Sequence, residues 1–342
     1  MRSSRKIAVV VLNYKGWRDS IKCVESLLGQ TYSAFHIVLI ENGSADESAH
    51  ELSKLKHAKL TYIEEPVNLG FTGGVNIGIR WAMEHNYDMV ALLNNDAHAE
   101  PDWLENLAGA MEKTGASIVT GLLLTSDGKR IDDAGDSYST WGIPTLMAEH
   151  QLADSAPEPG FVFGATGGAT LYKVSLFEKI GLFDNVYFAY NEDVDMDWRT
   201  QLAGHKIYYE KSAVAYHKHS ATSKKMPGFT TTQVFRNLPV VLIKNVPFPM
   251  VILTSIKFVF IYWAFLFYKL LRGEGKAAFK GAFKSVTLWP HAFRERRHIQ
   301  QSRTVNNAYI RSILYRGLPL RSVKRLKHFF KHPLSHNTEL DY

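Results

Sequence analysis

The residues IAVVVLNY, numbers 7–14, begin as an uninterrupted apolar run rich in β-branched side chains and end in two polar residues. Such a run is typical of a central parallel strand that is covered on both faces. A helical pattern follows over residues 18–28, and a second apolar run, HIVLI at 36–40, ends in ENGS at 41–44. The order strand, helix, strand predicts a βαβ unit.

The same alternation continues to about residue 120. It comprises a short strand at 60–63, a Gly-rich stretch that leads into a helix over 77–84, a strand at 89–93 and a helix opened by Pro101. This pattern predicts a doubly wound α/β fold, in which ligands bind beyond the carboxyl ends of the strands. Three polar clusters are expected to meet there: Asn13-Tyr14, residues 41–44 and residues 94–96.

The later residues are less regular. Residues 121–160 are rich in Gly, Asp, Ser and Pro, which predicts loops or an antiparallel excursion over the site. Strand-like character returns at 163–172, followed by a helix over 191–203 and a strand at 206–209.

Composition narrows the class of protein. The 342 residues are 46% hydrophobic and carry a formal net charge of +7, and the basic excess lies after about residue 257. Hydrophobic residues at this level exclude wholesale disorder. The single cysteine, Cys23, excludes an intramolecular disulfide and is interpreted as a small buried hydrophobe. Residues 7–12 are too short for the apolar region of a signal peptide.

An apolar and aromatic segment covers residues 246–271 and contains Lys257 and Lys269. Its length suffices for a membrane span, but a charge near the middle is unfavourable there. A peripheral amphipathic anchor, a true span and a buried helical hairpin therefore all stay open. We expect two domains, an α/β domain over 1–230 and a helical, hydrophobic and basic, membrane-associating region over 231–342.

Asp96 follows a predicted buried strand, where a carboxylate is placed to bind Mg²⁺ or Mn²⁺ together with substrate phosphates. A helix-capping role is the alternative. The Gly-rich stretch matches neither a Walker A nor a dinucleotide motif, so its glycines serve either close ligand approach or helix packing. His217 and His98 are candidate metal ligands, and His219 is a candidate phosphate contact.

Several carboxylates begin the helix predicted at 191–203, after an aromatic run. They complement the helix dipole, or they form a site in which a carboxylate removes a proton from an acceptor hydroxyl. At helical spacing Asp193 and Asp197 share one face, as do Glu192 and Asp195 approximately.

In order and spacing, a set of blocks resembles glycosyltransferase family 2, with the GT-A fold, and its rhamnosyltransferase-like members in particular. The blocks cover about residues 6–225: Asn13-Tyr14, ENGSAD (41–46), NLGFTGGVNIG (68–78), LLNNDAHAEPDWL (92–104), GATGGATLYK (164–173), GLFDNVYFAYNEDVDMDWR (181–199), AGHKIYY and the His217 region. Glu41 replaces a frequent Asp, and Asn94-Asn95 replaces a more acidic motif. The Gln-x-x-Arg-Trp motif of processive synthases is absent, which favours transfer of single sugars.

The resemblance implies a role for each matched position. Asp193 is the general base of an inverting displacement, Glu192 positions the acceptor, and Asp96 holds the metal with His217 as a further contact. The residues assigned to the nucleotide-sugar are Asn13, Tyr14, Glu41, Asn42, Asn68, Gly70, Gly74, Asn76, Asn94, Asn95 and Gly168.

The resemblance also implies the partners. The expected donor is a dTDP- or UDP-linked sugar, with dTDP-rhamnose favoured, and the expected acceptor is a glycan or lipid-linked sugar in cell-surface polysaccharide synthesis. The expected location is the cytoplasmic face of the bacterial inner membrane. Nucleic acid is not an expected partner, because the basic residues lie beside an apolar stretch. A homo-oligomer is left open. The alternatives are a sugar nucleotidyltransferase and a non-catalytic membrane scaffold.

Overall fold

The computed structural model describes residues 5–218, residues 226–318 and residue 323. The chain divides into two compact units. Within the described residues, the first contains 5–136 and 146–218, and the second contains 137–145 and 226–318. His219 and almost all of the basic stretch at 321–331 lie outside the described residues.

Strands and helices alternate regularly in the first half of the chain. The strands are β1 (Ile7–Asn13), β2 (Phe35–Asn42), β3 (Leu60–Glu65), β4 (Met89–Leu93), β5 (Ala97–Ala99), β6 (Ile118–Thr125), β7 (Ile131–Asp133), β8 (Asp136–Tyr138), β9 (Pro144–Leu146), β10 (Gly160–Val162), β11 (Ala169–Lys173) and β12 (Ile207–His217). The helices of the first unit are α1 (Trp17–Leu28), α2 (Ser48–Leu52), α3 (Gly70–Glu84), α4 (Trp103–Thr114), α5 (Val174–Ile180) and α6 (Glu192–Leu202).

The main sheet has the strand order β10-β12-β6-β11-β4-β1-β2-β3, with β5 beside β12 and β7 beside β6. Strands β1 to β4 are parallel to one another, and β6 is parallel to β12. Between them β11 runs antiparallel to both β4 and β6. The carboxyl ends of β1, β2, β4 and β12 therefore point to the same edge of the sheet, where β11 begins.

Helices cover both faces of this sheet. Val9 and Val11 of β1 pack in a cluster with side chains of α1 and α4, including the buried Cys23. The alternate residues Ala8 and Val10 pack in a second cluster with side chains of α3, α5 and α6. Because successive strand residues point to opposite faces, this division explains why β1 is apolar without interruption. The prediction of a first buried strand and of a buried Cys23 is confirmed.

The predicted alternation is confirmed as far as α4, but one boundary was wrong. The Gly-rich stretch forms the first half of α3, which begins at Gly70 and not near residue 77. Propensity argues against helix here because glycine is an unfavourable helix residue. Packing against the sheet outweighs that preference.

The prediction of irregular structure from residue 121 was also wrong in its first part. Residues 118–125 form β6, a buried strand between β12 and β11. The short strands β7 and β10 then pair antiparallel with β6 and β12, and β8 pairs with β9 in a separate two-stranded sheet.

The second unit is helical over its described length. Its helices are α7 (Phe229–Asn245), α8 (Met250–Leu271), α9 (Gly275–Gln301) and α10 (Asn307–Ile313). Gly281 of α9 lies so close to α7 that a Cβ there would be 2.4 Å from the Thr232 carbonyl oxygen. The Arg296 guanidinium donates to the carbonyl oxygens of Ile243 and Val246, at 2.8 and 2.7 Å, and so caps α7.

One helix among the described residues, α8, is long and apolar enough to cross a membrane. Only 28% of its most apolar 18-residue stretch is buried within the structure. A core helix of a soluble domain would bury most of that stretch, so α8 leaves an apolar surface exposed.

Candidate active site

Three strand ends share one hydrogen-bonded network at the carboxyl edge of the sheet. Asn13 Nδ2 donates to Glu41 Oε2, and the Ser44 backbone N–H donates to Glu41 Oε1 at 2.6 Å. Ser20 Oγ donates to Asn13 Oδ1 at 2.7 Å, and Asn95 Nδ2 donates to Ser20 Oγ at 3.0 Å. The predicted convergence of the three polar clusters is confirmed. Binding of the nucleoside by these residues stays a prediction.

The end of β2 is joined to the start of α3. Asn42 Nδ2 donates to the Gly70 carbonyl oxygen at 3.0 Å, and Asn42 Oδ1 accepts from the Leu69 backbone N–H at 3.1 Å. Asn68 Oδ1 accepts from the Gly70 backbone N–H at 2.8 Å. Gly70 has a φ of +72°, and a Cβ there would lie 2.4 Å from the Phe188 carbonyl oxygen. Only glycine fits this close approach.

Two further residues of α3 have structural contacts. A Cβ on Gly74 would lie 2.3 Å from Leu12 Cδ1, so this glycine lets α3 pack closely on β1. Asn76 is buried and donates through Nδ2 to the Phe183 carbonyl oxygen at 2.7 Å. These contacts support the packing interpretation of the Gly-rich segment. The assignment of Gly74 and Asn76 to the donor site stays a prediction.

Asp96, just after β4, contacts the histidine at the end of β12. His217 Nε2 lies 3.0 Å from Asp96 Oδ1 and 3.4 Å from Asn94 Nδ2. On the other side of the ring, His217 Nδ1 lies 2.7 Å from Asp132 Oδ2. Asp132 belongs to the short strand β7, and the sequence analysis did not identify it. No local pattern around residue 132 marks it as a partner of residue 217.

The contacts of the two histidine candidates differ. His98 is exposed and stacks on Tyr216, with ring centroids 4.8 Å apart, whereas His217 is half-buried and contacts Asp96. Burial lowers the pKa of His217, but hydrogen bonds to Asp132 and Asp96 outweigh it and raise that pKa to about 10. The ring is therefore an imidazolium between two carboxylates when no metal is bound.

The donor set at Asp96 and His217 fits a divalent cation. A carboxylate oxygen and an imidazole nitrogen point at each other, and a second carboxylate orients the ring from the far nitrogen, as in many metal sites. Asp132 lies on the wrong side of the ring to be a third ligand. Accordingly, the described part of the chain contains no group of three or more His, Cys, Asp or Glu side chains arranged to hold a metal.

The start of α6 follows a segment of strained backbone. Phe188, Tyr190 and Asn191 have φ values of +64°, +69° and +67°, which non-glycine residues seldom adopt. The Phe188 carbonyl oxygen accepts from the Thr72 backbone N–H in α3 at 3.2 Å. Strain of this kind persists only where surrounding contacts fix the chain, and it is frequent at active sites.

Asp193, in the first turn of α6, is half-buried. Its Oδ1 accepts from the Val194 backbone N–H at 2.8 Å, and the carboxylate also accepts from the backbone N–H of Gly167. Burial raises the pKa of Asp193, and these backbone hydrogen bonds oppose the rise. A carboxylate with a raised pKa is a stronger base, which suits proton abstraction near neutral pH.

Glu192 has a different environment. It is buried, and burial, with the nearby charge of Asp193, raises its pKa well above the usual range. Its Oε2 has no hydrogen-bond partner among the described residues. The Glu192 carboxylate accepts from its own backbone N–H, whereas the backbone N–H groups of Val194 and Gly167 donate to Asp193.

Gly167 connects this helix to the metal-binding candidates. The next residue, Gly168, accepts through its carbonyl oxygen from the Asn94 backbone N–H at 2.8 Å. A Cβ on Gly168 would lie 2.8 Å from Asn94 Nδ2. Gly167 therefore hydrogen-bonds to Asp193, and the adjacent Gly168 hydrogen-bonds to Asn94, two residues before Asp96. Tyr14, the remaining candidate, is half-buried directly after β1.

Near Asp193 lies a group of buried carboxyls, of which the sequence pattern indicates Asp197 alone, on the same helical face as Asp193. Asp197, Asp136 and Asp133 are buried, and burial, together with repulsion from neighbouring carboxylates that include Asp193, raises the pKa of each well above its usual range. Asp197 Oδ1 accepts from the Ala165 backbone N–H at 3.1 Å. Its Oδ2 has no hydrogen-bond partner in the described part of the chain.

The raised pKa of Asp197 predicts a pH-dependent stability. The folded chain holds this proton more tightly than the unfolded chain, so the resulting stability is fully present below the unfolded pKa and is lost as pH rises through the folded pKa. Asp197→Asn keeps the acceptor for Ala165 and cannot ionise. We expect the excess of its melting temperature over that of the wild type to be larger at pH 9 than at pH 5, by roughly 2–4 °C.

Differential scanning fluorimetry across this pH range measures the effect. Asp154→Asn is the matched control, because Asp154 is exposed and its substitution should leave the pH profile unchanged. Parallel pH profiles for the wild type and Asp197→Asn would contradict the buried, ionisable state of Asp197.

Comparisons with known proteins identify the family and the fold of the chain. The model of the family described as glycosyl transferase family 2 matches residues 8–181, which include β1 to β4 and the strand end at Asp96. The chain belongs to glycosyltransferase family 2. A solved structure with the same fold is the mannosyltransferase PcManGT from Pyrobaculum calidifontis in complex with GDP-Man and Mn²⁺, at a TM-score of 0.54 and 14% identity. The match covers 88% of this chain and 86% of that one. The predicted GT-A fold is confirmed.

Two curated relatives of this family 2 chain are more similar in sequence. The low-salt glycan biosynthesis hexosyltransferase Agl10 of Haloferax volcanii is 25% identical over 57% of this chain. Glycosyltransferase GlyA of Streptococcus pneumoniae is 30% identical over 62% of this chain. The matches span 61% of the length of Agl10 and 30% of the length of GlyA.

Proposed function

We propose that this family 2 chain is an inverting glycosyltransferase that moves a single hexose from a nucleotide-sugar to a glycan or lipid-linked acceptor. The observation that carries the proposal is the placement of Asp193. Backbone donors fix its carboxylate, and the neighbouring glycine pair joins it to the strand end that carries Asp96. These contacts fix the proposed base relative to the strand end that would bind the donor diphosphate.

The reaction is a single displacement at the anomeric carbon. The acceptor oxygen forms a bond to this carbon while the bond to the donor phosphate oxygen breaks, and the configuration inverts. Asp193 takes the proton of the acceptor hydroxyl, so no free alkoxide forms. Glu192 positions the acceptor. The nucleoside lies against the network of Asn13, Glu41 and Asn95.

Asp96 and His217 would hold the divalent metal, Mg²⁺ or Mn²⁺, and Asp132 would keep the imidazole in the required orientation. When bound, the metal neutralises charge on the departing nucleoside diphosphate as a Lewis acid. The Mn²⁺ present with GDP-Man in PcManGT supports this role. Because protonated histidine is no ligand, metal binding at His217 releases a proton.

The donor that the motifs favour is dTDP-rhamnose, with another dTDP- or UDP-sugar as the alternative. Support for this donor comes from Asn94-Asn95 before Asp96, in place of a more acidic motif. The relative Agl10, described as a hexosyltransferase, supports transfer of a hexose. The exposed apolar helix α8 supports a lipid-linked acceptor in surface polysaccharide synthesis, at the cytoplasmic face of the bacterial inner membrane.

A donor screen tests the proposal. We expect dTDP-rhamnose with Mn²⁺ to give the largest rise in melting temperature, and release of dTDP when an acceptor glycan is present. UDP-glucose, GDP-mannose and free dTDP serve as comparison ligands, each with and without EDTA. A preference for GDP-mannose would refute the donor, whereas no response to any nucleotide-sugar would refute transferase function.

A further inference from the structure

Helix α8 has two distinct faces. Its inner face packs within the helical unit, where Tyr262 donates through its hydroxyl to the Phe235 carbonyl oxygen of α7 at 2.8 Å. Its outer face is a stripe of exposed apolar side chains at helical spacing, of which Ile256, Phe260, Trp263 and Phe267 are each more than half exposed.

Neither lysine of α8 lies on that stripe. Lys257 Nζ is 5.9 Å from the centre of the Trp141 ring, and Lys269 Nζ forms an ion pair with Glu274 Oε1 at 2.8 Å. Lys257, whose charge near the middle of the segment is unfavourable for a membrane span, therefore lies away from the exposed apolar face.

Helix α9 has three faces. Small residues, among them Ala278 and Gly281, are buried on the first. At about 100° per residue, the exposed Phe279, Phe283, Val286 and Phe293 form a second, apolar face. Lys276, Lys280, Lys284 and Arg294 lie on a third, which is exposed and basic. An apolar face rich in Phe beside a face rich in Lys and Arg is typical of a helix that lies in the plane of a membrane interface.

Helices α8 and α9 both pack against α7. Phe235 of α7 stacks edge-to-face on Tyr262 of α8, with ring centroids 5.1 Å apart. A Cβ on Gly281 of α9 would lie 2.9 Å from the Cβ of the same Phe235. Helices α8 and α9 therefore each bury one face against α7 and leave their apolar faces exposed.

A spanning α8 is inconsistent with this packing. Tyr262 lies in the middle of α8, so a span would carry α7, with Arg236 and Asn237, to the same depth. It would also draw the lysines of α9 towards the hydrocarbon, where charges are strongly unfavourable.

We propose that the exposed apolar faces of α8 and α9 are a docking surface for an anionic lipid bilayer, on which both helices lie in the plane of the interface. Charge complementarity favours this occupant, because the acidic residues between 226 and 318 are Glu274 and Glu295, against many lysines and arginines. Both glutamates lie in ion pairs, with Lys269 and Arg294. The inference deepens the membrane association proposed above and does not depend on transfer activity.

Vesicle co-sedimentation of the full chain tests the docking surface. We expect binding to vesicles that contain phosphatidylglycerol and weaker binding to phosphatidylcholine alone. Phe279→Glu with Phe283→Glu should lower the bound fraction at least about tenfold. Phe161→Glu, at a side chain 61% exposed in the first unit, is the matched control and should bind as wild type. Lys280→Gln and Lys284→Gln should each weaken only the phosphatidylglycerol binding, roughly fivefold.

Spin labels distinguish the in-plane arrangement from a span. Labels at Ile256→Cys, Trp263→Cys and Leu270→Cys should report the same shallow depth in vesicles. The native Cys23 is buried and does not compete for the label. A depth maximum at residue 263, flanked by shallower labels, would show a span and overturn the proposal.

Two further outcomes are decisive. A dimer in sedimentation velocity that the paired Phe→Glu variant abolishes, without vesicle binding by the wild type, would assign the face to a second copy and overturn the lipid assignment. Donor binding measured without vesicles separates this inference from the proposed function. Vesicle binding without any nucleotide-sugar binding would refute the transferase and leave the docking surface intact.

Discussion

Replacing Asp193 with asparagine is expected to lower the turnover number roughly 10²- to 10⁴-fold, the range that general base catalysis contributes. Asparagine has nearly the same shape and keeps an oxygen to accept from the backbone N–H groups of Val194 and Gly167. It cannot accept the proton of the acceptor hydroxyl. Initial rates of transfer measure the loss, and calorimetry should show unchanged donor affinity.

The neighbouring carboxylate provides the control. Glu192→Gln should change the acceptor KM more than the turnover number, because Glu192 is proposed to position the acceptor and not to take its proton. Asp154→Asn, at an exposed position, should change neither. Near-normal turnover in Asp193→Asn, or an equal loss in Glu192→Gln, would contradict the assignment of the base to Asp193.

The pH profile gives a second readout of the same group. A base acts only when deprotonated, so kcat/KM should rise with pH through the pKa of Asp193. Burial raises that pKa, which moves the acidic limb of the profile above the range of an exposed aspartate. The pH profile of the residual activity of Asp193→Asn should lack this acidic limb.

Much of the fold was predictable because its signals are local. The strands β1, β2 and β4 read as continuous apolar runs, since a parallel sheet covered on both faces leaves no polar alternation. The convergence of Asn13, Glu41 and Asn95 followed directly, because parallel strands end at one edge.

Strand β6 was missed in part because its pairing is non-local. Its partner β12 lies about ninety residues later, and Gly121 in the middle of β6 reads as a break in the strand. A Cβ on Gly121 would lie 2.2 Å from the Ala213 carbonyl oxygen, beside the irregularity of β12 between Glu210 and Val214. This glycine marks close backbone approach within a sheet rather than the start of a loop.

In the candidate active site, too, the sequence indicates residues that have a local signal and misses residues that only folding brings together. Asp193 and Asp96 were identified because each begins or follows an element that the sequence marks. Asp133, Asp136 and Asp197 come together only through the folded path of the chain between β6 and α6. Local spacing places Asp197 on the helical face of Asp193, but it gives no signal for Asp133 and Asp136 or for the burial of the three carboxyls.

Asp96→Ala is expected to weaken donor binding in the presence of Mn²⁺ by at least about 10- to 100-fold, the loss that even an outer-sphere substitution causes at metal sites. Asp96 and His217 are the two proposed ligands, so removal of Asp96 leaves His217 as the remaining one. Calorimetric titration with the nucleoside diphosphate, with Mn²⁺ and with EDTA, measures the effect. With EDTA, wild type and variant should bind equally.

Two substitutions separate metal binding from local structure. Asp132→Asn leaves both proposed ligands in place and loosens only the orientation of His217, so its loss should be smaller than that of Asp96→Ala. Asp102→Asn changes an exposed aspartate six residues beyond Asp96 and should bind as wild type. An Asp96→Ala variant that keeps the full response to Mn²⁺ would place the metal elsewhere. Equal losses for Asp96→Ala with Mn²⁺ and with EDTA would assign Asp96 to the nucleotide itself.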